Sequence, residues 1–472
     1  METVGILVVS YGAREAAMVD ALARSQKYKV ELYIADKQLN PFNAQYATKH
    51  IVVPNLNIYD IGKFAQTFRD KLDFAIVGSE KPIIDGLRDL IEAETGIPVV
   101  CPKKNYAIEE SKVKQRLLFQ KIAPEANPRF KIFDPKDYHQ DKAQIKTDVY
   151  KWLDELNNQA VVKPDKPAAG KGVGVWGDHF VSREELFKHF MSSFQYSAVI
   201  IEEKVDGEES SCMAFCDGKH FIPLPDTRDY KRAFDDDKGP NTGGMGSYKD
   251  IDDTLPFLTA VDRENEIALA NKVFNGWSKQ INDATALRGV PLYLAFMHTG
   301  RGIKILEINS RPGDPESINL FPVIKDDFID VCYKMIEGNL LSVELNRVAT
   351  VLTYKVPSDY AGYMDVFPGR VAMSEQDTPI DFTDAYKLVK KYGDKVRIYP
   401  GSMELREGKN YALKSRAVGV LAMGDSLEEA RVLSQEGARA IIGGGLWNRT
   451  DIATSQHIAK SVCHMEELRN KA

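Results

Sequence analysis

Short apolar runs alternate with helical segments over the first hundred residues, and this alternation limits the fold more than any other feature of the chain. Val4 to Val9, Lys29 to Ala35, Phe74 to Val77 and Pro98 to Cys101 read as strands, and Arg14 to Arg24, Ile58 to Lys71 and Pro82 to Ile91 as helices. Apolar strands separated by helices belong to a parallel sheet covered on both faces, so a doubly wound α/β domain is expected. Such sheets bind ligands beyond the carboxyl ends of their strands, which singles out Ser10-Tyr11-Gly12-Ala13-Arg14-Glu15 and Gly78-Ser79-Glu80. Of a dinucleotide fingerprint only Gly12 is present, which argues against NAD even though Asp36 ends the second strand. A phosphate at the N-terminus of the Arg14 helix needs less: free backbone N–H groups and one arginine.

The 472 residues leave room for about three domains. Lys plus Arg number 62 against 68 Asp plus Glu, a net charge of −6, so the basic bias that phosphate-backbone binding requires is missing and nucleic acid is not an expected partner. No apolar run is long enough to span a bilayer, and Met1-Glu2-Thr3-Val4-Gly5 carries a carboxylate where a secretory leader carries Lys or Arg; a cytosolic protein is expected. The five cysteines, Cys101, Cys212, Cys216, Cys332 and Cys463, are irregularly spaced and odd in number, which does not describe a disulfide framework. Cys212 and Cys216 lack a matching Cys or His pair and read as buried strand residues.

The chain changes character near residue 104. Asn105 to Lys121 reads as a helix, Asp134 to Asn157 as a linker and a second helix, and Ala160 to Val175 as strand, Gly/Ala-rich loop and strand, the pattern of a hairpin flap. Gly170-Lys171 is not a Walker A loop, because Asp165 stands where the first glycine belongs and Gly172 where Ser or Thr belongs. The flap still offers backbone N–H groups at Gly170 and Gly172 and point charges at Lys163 and Lys171 for phosphates; a solvated hairpin is the competing reading. Ser182-Arg183-Glu184-Glu185 and Ser426-Leu427-Glu428-Glu429 are capping boxes that open helices, the second running through Arg439.

Three further segments carry chemistry. Ile200 to Glu209 runs from an apolar strand into a turn whose backbone near Lys204 and Val205 offers a donor and an acceptor to an adenine edge, with a carboxylate for ribose hydroxyls. Asp229 to Tyr248 joins Lys231-Arg232 to a loop with four glycines that lets backbone approach a small anionic ligand. In Leu306 to Glu316, Glu307 and Asn309 lie two apart and share one face of a strand, as two oxygen ligands of a hard cation such as Mg²⁺ must, with Arg311 beside them to neutralise a transferring phosphoryl group. Solvent-facing polar residues on a strand would show the same spacing.

In order, Val161 to Val175, Glu202 to Glu209, Lys231-Arg232 with Gly239-Pro240-Asn241-Thr242-Gly243-Gly244-Met245-Gly246, and Leu306 to Glu316 resemble the ATP-grasp ligases, and within them the phosphoribosylamine–glycine ligases. The similarity extends through the N-terminal domain and to Ala422 to Ala430 and Asn448 to Ile452. It implies a substrate domain at residues 1–103, an ATP-grasp domain at 104–335 with a flap subdomain at about 122–198, and a C-terminal α+β domain at 336–472. It further implies ATP with Mg²⁺ or Mn²⁺, glycine and 5-phosphoribosylamine as substrates, a glycyl phosphate intermediate, and a monomer or small homo-oligomer. By position, Lys163, Gly170, Lys171 and Gly172 fall to the phosphates, Glu202, Glu203, Lys204 and Val205 to adenine, Glu209 to ribose, and Glu307 with Asn309 to the metal. Arg311 and Lys171 are the implied catalytic cations, and Gly12, Arg14, Glu80, Lys231, Arg232, Asn241, Thr242, Gly243, Gly244, Met245, Gly246 and Asp314 the implied substrate contacts.

The chain departs from the family at Ser10 to Ala17, where a glycine-rich run and a histidine are usual. A ligase of the same fold acting on another amine is therefore the alternative, with Lys81, Lys103 and Lys104 as substitutes for the missing phosphate nest. A silent nucleotide-binding protein is a rival of another class; the presence of Lys163, Lys171, Glu307, Asn309 and Arg311 together speaks against it.

Overall fold

A computed structural model describes residues 1–138, 141–166, 172–360 and 377–471. The N-terminal part comprises β1 (Glu2–Ser10), α1 (Ala13–Ala23), β2 (Tyr28–Asp36), α2 (Pro41–Tyr46), β3 (Ala47–Val52), α3 (Ile58–Thr67), β4 (Phe74–Val77), α4 (Glu80–Asp85), α5 (Leu87–Thr95) and β5 (Val99–Val100). Its strands pair in parallel in the order β3-β2-β1-β4-β5, so the direction of winding reverses between β1 and β4. Along β1, Ile6 and Val8 enter one apolar cluster with α1, while Leu7 and Val9 enter another with α3 and α5; both faces are covered, which is why the strand reads as continuously apolar. The reading of the sequence missed α2 and β3: β3 is an edge strand that carries Lys49 and His50 and offers little apolar signal. The helix expected over Pro82 to Ile91 is broken at Gly86, whose φ of 94° ends α4 and starts α5.

Next come α6 (Lys112–Ile122), β6 (Phe130–Phe133), α7 (Lys142–Glu155), β7 (Ala160–Pro164), β8 (Gly174–Val175), α8 (Arg183–Phe194) and β9 (Val199–Glu203). The helix expected from Asn105 begins only at Lys112, where the Ser111 side chain accepts from Lys114 N–H; short 3₁₀ turns precede it. Ser182 and Glu185 form the expected capping box at the start of α8. Val161 opposite Val175 and Val162 opposite Gly174 make the hairpin, within the antiparallel sheet β6-β9-β7-β8. The tip bearing Gly170 and Lys171 lies outside the described residues.

The chain continues through β10 (Glu208–Cys216), β11 (Phe221–Pro223), β12 (Arg228–Asp229), β13 (Arg232–Phe234), β14 (Lys238–Asn241), β15 (Gly246–Lys249), α9 (Ala260–Ser278), β16 (Gly289–Thr299), β17 (Gly302–Asn309) and α10 (Phe328–Glu337). The C-terminal part adds β18 (Ala349–Pro357), α11 (Thr383–Tyr392), β19 (Val396–Pro400), β20 (Met403–Arg406), β21 (Lys409–Ala412), β22 (Val418–Gly424), α12 (Leu427–Ala440), β23 (Leu446–Trp447) and α13 (Ser455–Asn470). One sheet runs β11-β10-β16-β17 and a second β12-β15-β18-β22-β19, with β23 added to β18, while β13-β14 and β20-β21 pair as two-stranded sheets. A boundary at 335/336 therefore does not follow sheet membership: β12 and β15, which flank the glycine-rich loop, belong to the C-terminal sheet. Cys212 and Cys216 are buried on β10, and among the described residues no helix is long and apolar enough to cross a membrane.

Candidate active site

The site begins with a break in a strand. Along β16 and β17, Ala295 faces Glu307 whereas Phe296 faces Ile305, so Leu306 is one residue too many on β17. Strict alternation from Ile305 would turn Glu307 into the core. The bulge sends Ile305 and Ile308 into the same apolar cluster and leaves Glu307 and Asn309 together on the other face, with Asn309 Nδ2 3.4 Å from Glu307 Oε1. Burial alone would raise the Glu307 carboxyl, but Lys231, Lys112 and Lys163 outweigh it and hold the group down at about 2. An ionised carboxylate beside an amide oxygen is a hard-oxygen donor pair, which fits Mg²⁺ or Mn²⁺ completed by phosphate oxygens.

The bulge also turns carbonyls toward cations. Arg116 donates to Ile305 O at 2.8 Å and to Leu306 O, and Lys163 Nζ lies 3.4 Å from Leu306 O. Both cations meet Glu202: Lys163 Nζ at 2.7 Å and Arg116 Nη2 at 3.1 Å. Glu202 is 2% exposed, and although burial opposes its ionisation, Arg116 and Lys163 keep it ionised. Its side chain thus faces the interior of an ion triad and orients Lys163, leaving only backbone at this position for a base. Beyond it, Glu203 Oε1 accepts from Arg129 N–H at 2.9 Å, Lys204 N–H donates to Gln159 O at 2.9 Å and Lys204 Nζ to Trp176 O at 2.8 Å, which ties the turn through Val205 to the flap.

The glycine-rich loop is held by residues far from it in sequence. Arg416, on the segment before β22, donates to Gly243 O at 2.5 Å and to Asp314 O at 3.0 Å, and pairs with the Asp314 carboxylate at 3.0 Å. Tyr354 OH donates to Asp314 Oδ1 at 2.7 Å, and Gly243 N–H donates to Tyr360 OH at 3.1 Å. Met245 N–H and Thr242 N–H bond Tyr230 O and Lys231 O across the loop. Gly244, at φ 106°, passes so close that a Cβ would stand 2.5 Å from Asp229 Oδ1, an oxygen that is buried without a hydrogen-bond partner among the described residues. Burial, followed by Glu316, pushes the Asp229 carboxyl well above its usual range.

The two expected anion binders beside this loop are already engaged. Lys231 pairs with Glu209, and Arg232 pairs with Asp178 of the flap at 2.8 Å while donating to Gly239 O at 2.9 Å. Arg232 is thus a tie between loop and flap. Arg14 is likewise turned inward: it is 2% exposed, bonds Glu15 Oε1 at 2.7 Å and Pro312 O at 3.0 Å, and lies 3.6 Å from Glu80. Arg311 sits between Glu109 at 3.2 Å, Glu80 at 3.7 Å and Asn309 Oδ1 at 3.5 Å, with its guanidinium 5.8 Å from the Tyr293 ring centre. Nor do the three substitute lysines face the Arg14 loop: Lys81 pairs with Asp85, Lys103 with Asp283 at 2.7 Å, and Lys104 Nζ approaches Asp85 O at 3.4 Å.

Sequence reasoning missed Arg116, Glu109 and Arg416. Arg116 lies among many charged residues of α6, Glu109 on a 3₁₀ turn and Arg416 in an irregular segment, so no periodicity marks them.

Two family models match, described as the phosphoribosylglycinamide synthetase N domain over residues 4–110 and its ATP-grasp (A) domain over residues 136–317. The phosphoribosylamine–glycine ligase of Methanocella arvoryzae is 36% identical over 98% of this chain and 99% of its own length, and that of Methanobrevibacter smithii 35% over 98% and 100%. A crystal structure of the Thermotoga maritima phosphoribosylamine–glycine ligase superposes with a TM-score of 0.71 at 25% identity, covering 95% of this chain and 100% of that one. The biotin carboxylase domain of a Hydrogenobacter thermophilus 2-oxoglutarate carboxylase, solved with MgADP, shares the fold at a TM-score of 0.65 and 12% identity, covering 100% of this chain and 96% of that one. With full-length similarity above 30% and both domain models in place, the chain belongs to the phosphoribosylamine–glycine ligase family of ATP-grasp enzymes.

Proposed function

We propose that this chain joins glycine to 5-phosphoribosylamine through a glycyl phosphate, with ATP cleaved to ADP and phosphate. ATP-dependent ligation in purine biosynthesis is what membership of the family implies, and the observation that carries the chemistry is the Glu307–Asn309 pair beside three lysines. A carboxylate resists amines because it is anionic and lacks a leaving group. Its oxygen takes the γ-phosphoryl group, the bond from γ-phosphorus to the bridging oxygen breaks and ADP leaves. The ribosylamine nitrogen then attacks the carbonyl, phosphate departs and the nitrogen gives up a proton.

Glu307 and Asn309 would hold Mg²⁺ or Mn²⁺, which supplies charge neutralisation at the phosphates. Lys163, aimed by Glu202, and Lys171 stabilise the phosphates, and Arg311 stabilises the transferring group. The backbone of Glu203, Lys204 and Val205 serves the adenine edge, supported by the inward engagement of the Glu202 side chain. Glu209, paired with Lys231, serves the ribose. Asn241 to Gly246 enclose glycine, whose ammonium supplies the missing partner of Asp229 Oδ1. Gly12, Glu80 and Asp314 face the ribosylamine, with Arg14 behind them holding Glu15 and the Pro312 carbonyl. A cytosolic location accords with five free thiols, four of them buried, and the reading extends to a monomer or small homo-oligomer.

The test is phosphate release with ATP, glycine and freshly made phosphoribosylamine, set against a panel of other amines. Release that requires glycine and is fastest with phosphoribosylamine is expected. Faster release with another amine at equal concentration would assign the chain to the alternative ligase.

A further inference from the structure

The N-terminus of α1 is covered, with Gly12, Ala13, Arg14 and Glu15 all buried, so a phosphate has no open path to its N–H groups. Gly12 N–H donates to Glu15 Oε2 at 3.0 Å, and Gly401 of the C-terminal part lies so near that a Cβ on it would stand 3.4 Å from Ala13 N. Arg14 is held by Glu15 and the Pro312 carbonyl. Four cations around the cleft have carboxylate partners: Lys163 has Glu202, Lys231 has Glu209, Arg311 has Glu109 and Arg416 has Asp314.

Lys37 differs. It follows β2 directly, at the same carboxyl edge of the sheet, and its N–H donates to Ser10 O at 3.2 Å. Its side chain is half-buried, with Nζ 4.2 Å from the centre of the Tyr11 ring and no carboxylate partner among the described residues. An aromatic face attracts an ammonium without neutralising it, so a cation held there keeps its N–H donors for an anion. The ring is itself fixed, packed against the apolar cluster of Leu7, Val9 and Val77, while Gln38 Nε2 donates to Tyr11 O at 2.6 Å and to Gly401 O at 3.3 Å. Tyr11 also reaches the reacting end: its phenol lies within the fields of Arg416, Glu80 and Asp314, and burial keeps it protonated against the pull of Arg416.

We infer that Lys37, fixed over Tyr11, is the residue that recognises the phosphate monoester of the amine substrate, taking the place of the closed helix terminus. The assignment rests on the ligase reading above, since it requires a phosphorylated sugar amine beside Gly12 and Glu80. It also gives a reason for a tyrosine in this loop: the ring holds a lysine charge where backbone N–H groups are not open to a ligand.

Steady-state kinetics with freshly made phosphoribosylamine, combined with titrations of ribose 5-phosphate and ribose, test this. Lys37→Met is expected to raise KM for phosphoribosylamine by about 10-fold or more, with kcat and the KM values for ATP and glycine within about 2-fold. Lys37→Arg should retain most of the affinity, and Lys81→Met, which removes an exposed lysine paired with Asp85, should change nothing. Wild type should prefer ribose 5-phosphate to ribose, and Lys37→Met should lose the preference. If wild type turns over phosphoribosylamine and Lys37→Met leaves both KM and ribose 5-phosphate affinity unchanged, the assignment of Lys37 is wrong and the ligase reading stands. If wild type fails to turn over phosphoribosylamine yet loses ribose 5-phosphate binding on Lys37→Met, the phosphate site stands and the ligase reading fails. A wild type indifferent to the sugar's phosphate overturns the site whatever the turnover.

Discussion

The two ends of the cleft solve the same electrostatic problem in different ways. At the nucleotide end, Lys163 and Glu202 come from paired strands of one sheet, Glu307 from a strand of another and Arg116 from a helix; Lys163, Glu202 and Arg116 pair with one another, and Glu307 lies in the field of three lysines. At the amine end, Arg14, Asp314 and Arg416 come from three separate parts of the chain, and Arg416 holds a loop that supplies mostly backbone. The first end is built where two sheets and one helix meet, and the second where irregular segments from distant parts of the chain converge. Damage at the nucleotide end should therefore disturb phosphoryl transfer and stability, and damage at the amine end should disturb substrate affinity alone.

The largest effect is expected from Glu307→Ala, which removes the carboxylate donor: kcat/KM should fall by about 10³-fold, with the metal concentration for half-activity rising. A fall confined to KM for phosphoribosylamine would break the division between the two ends. Arg116→Ala comes next. It leaves Glu202 buried with one partner fewer, and denaturant unfolding should show a loss of about 3 kcal/mol together with a raised KM for ATP. Arg416→Ala sharpens the contrast from the other side, raising KM for glycine or phosphoribosylamine about 10-fold while KM for ATP stays within about 2-fold.

The smallest effect is an absence of one. The Glu307 carboxyl sits at about 2 in the folded chain, below its unfolded value, so its contribution is complete above the unfolded value and fades only as pH falls toward the folded one. Metal dependence should then be flat between about pH 5 and 8 as far as this group is concerned. Activation by metal that titrates near pH 6 and disappears in Glu307→Gln would show that the lysines do not hold the group down.

What the sequence made legible follows the same divide. The pairing of Glu307 with Asn309 was readable because residues two apart on a strand share a face, and the hairpin of β7 and β8 because its loop composition interrupts two apolar runs. The bulge at Leu306, which decides which face that is, was not readable, since it depends on the register with β16. At the amine end the loop from Asn241 to Gly246 was visible through its glycines, but its anchors were not: Arg416 contacts it across more than 170 residues and lies on no periodic element. Arg232 reads as an anion binder by type, whereas its partner Asp178 is set by where the flap docks.

One isotope experiment reaches the centre of the account. Glycine labelled with ¹⁸O in both carboxylate oxygens is turned over with ATP and phosphoribosylamine, and the phosphate and the amide are analysed by mass spectrometry. Transfer of one label to each released phosphate, with the other retained in the amide carbonyl, is the expected result. Phosphate free of label, with amide formed at the normal rate, would contradict an acyl phosphate and with it the roles given to both ends of the cleft.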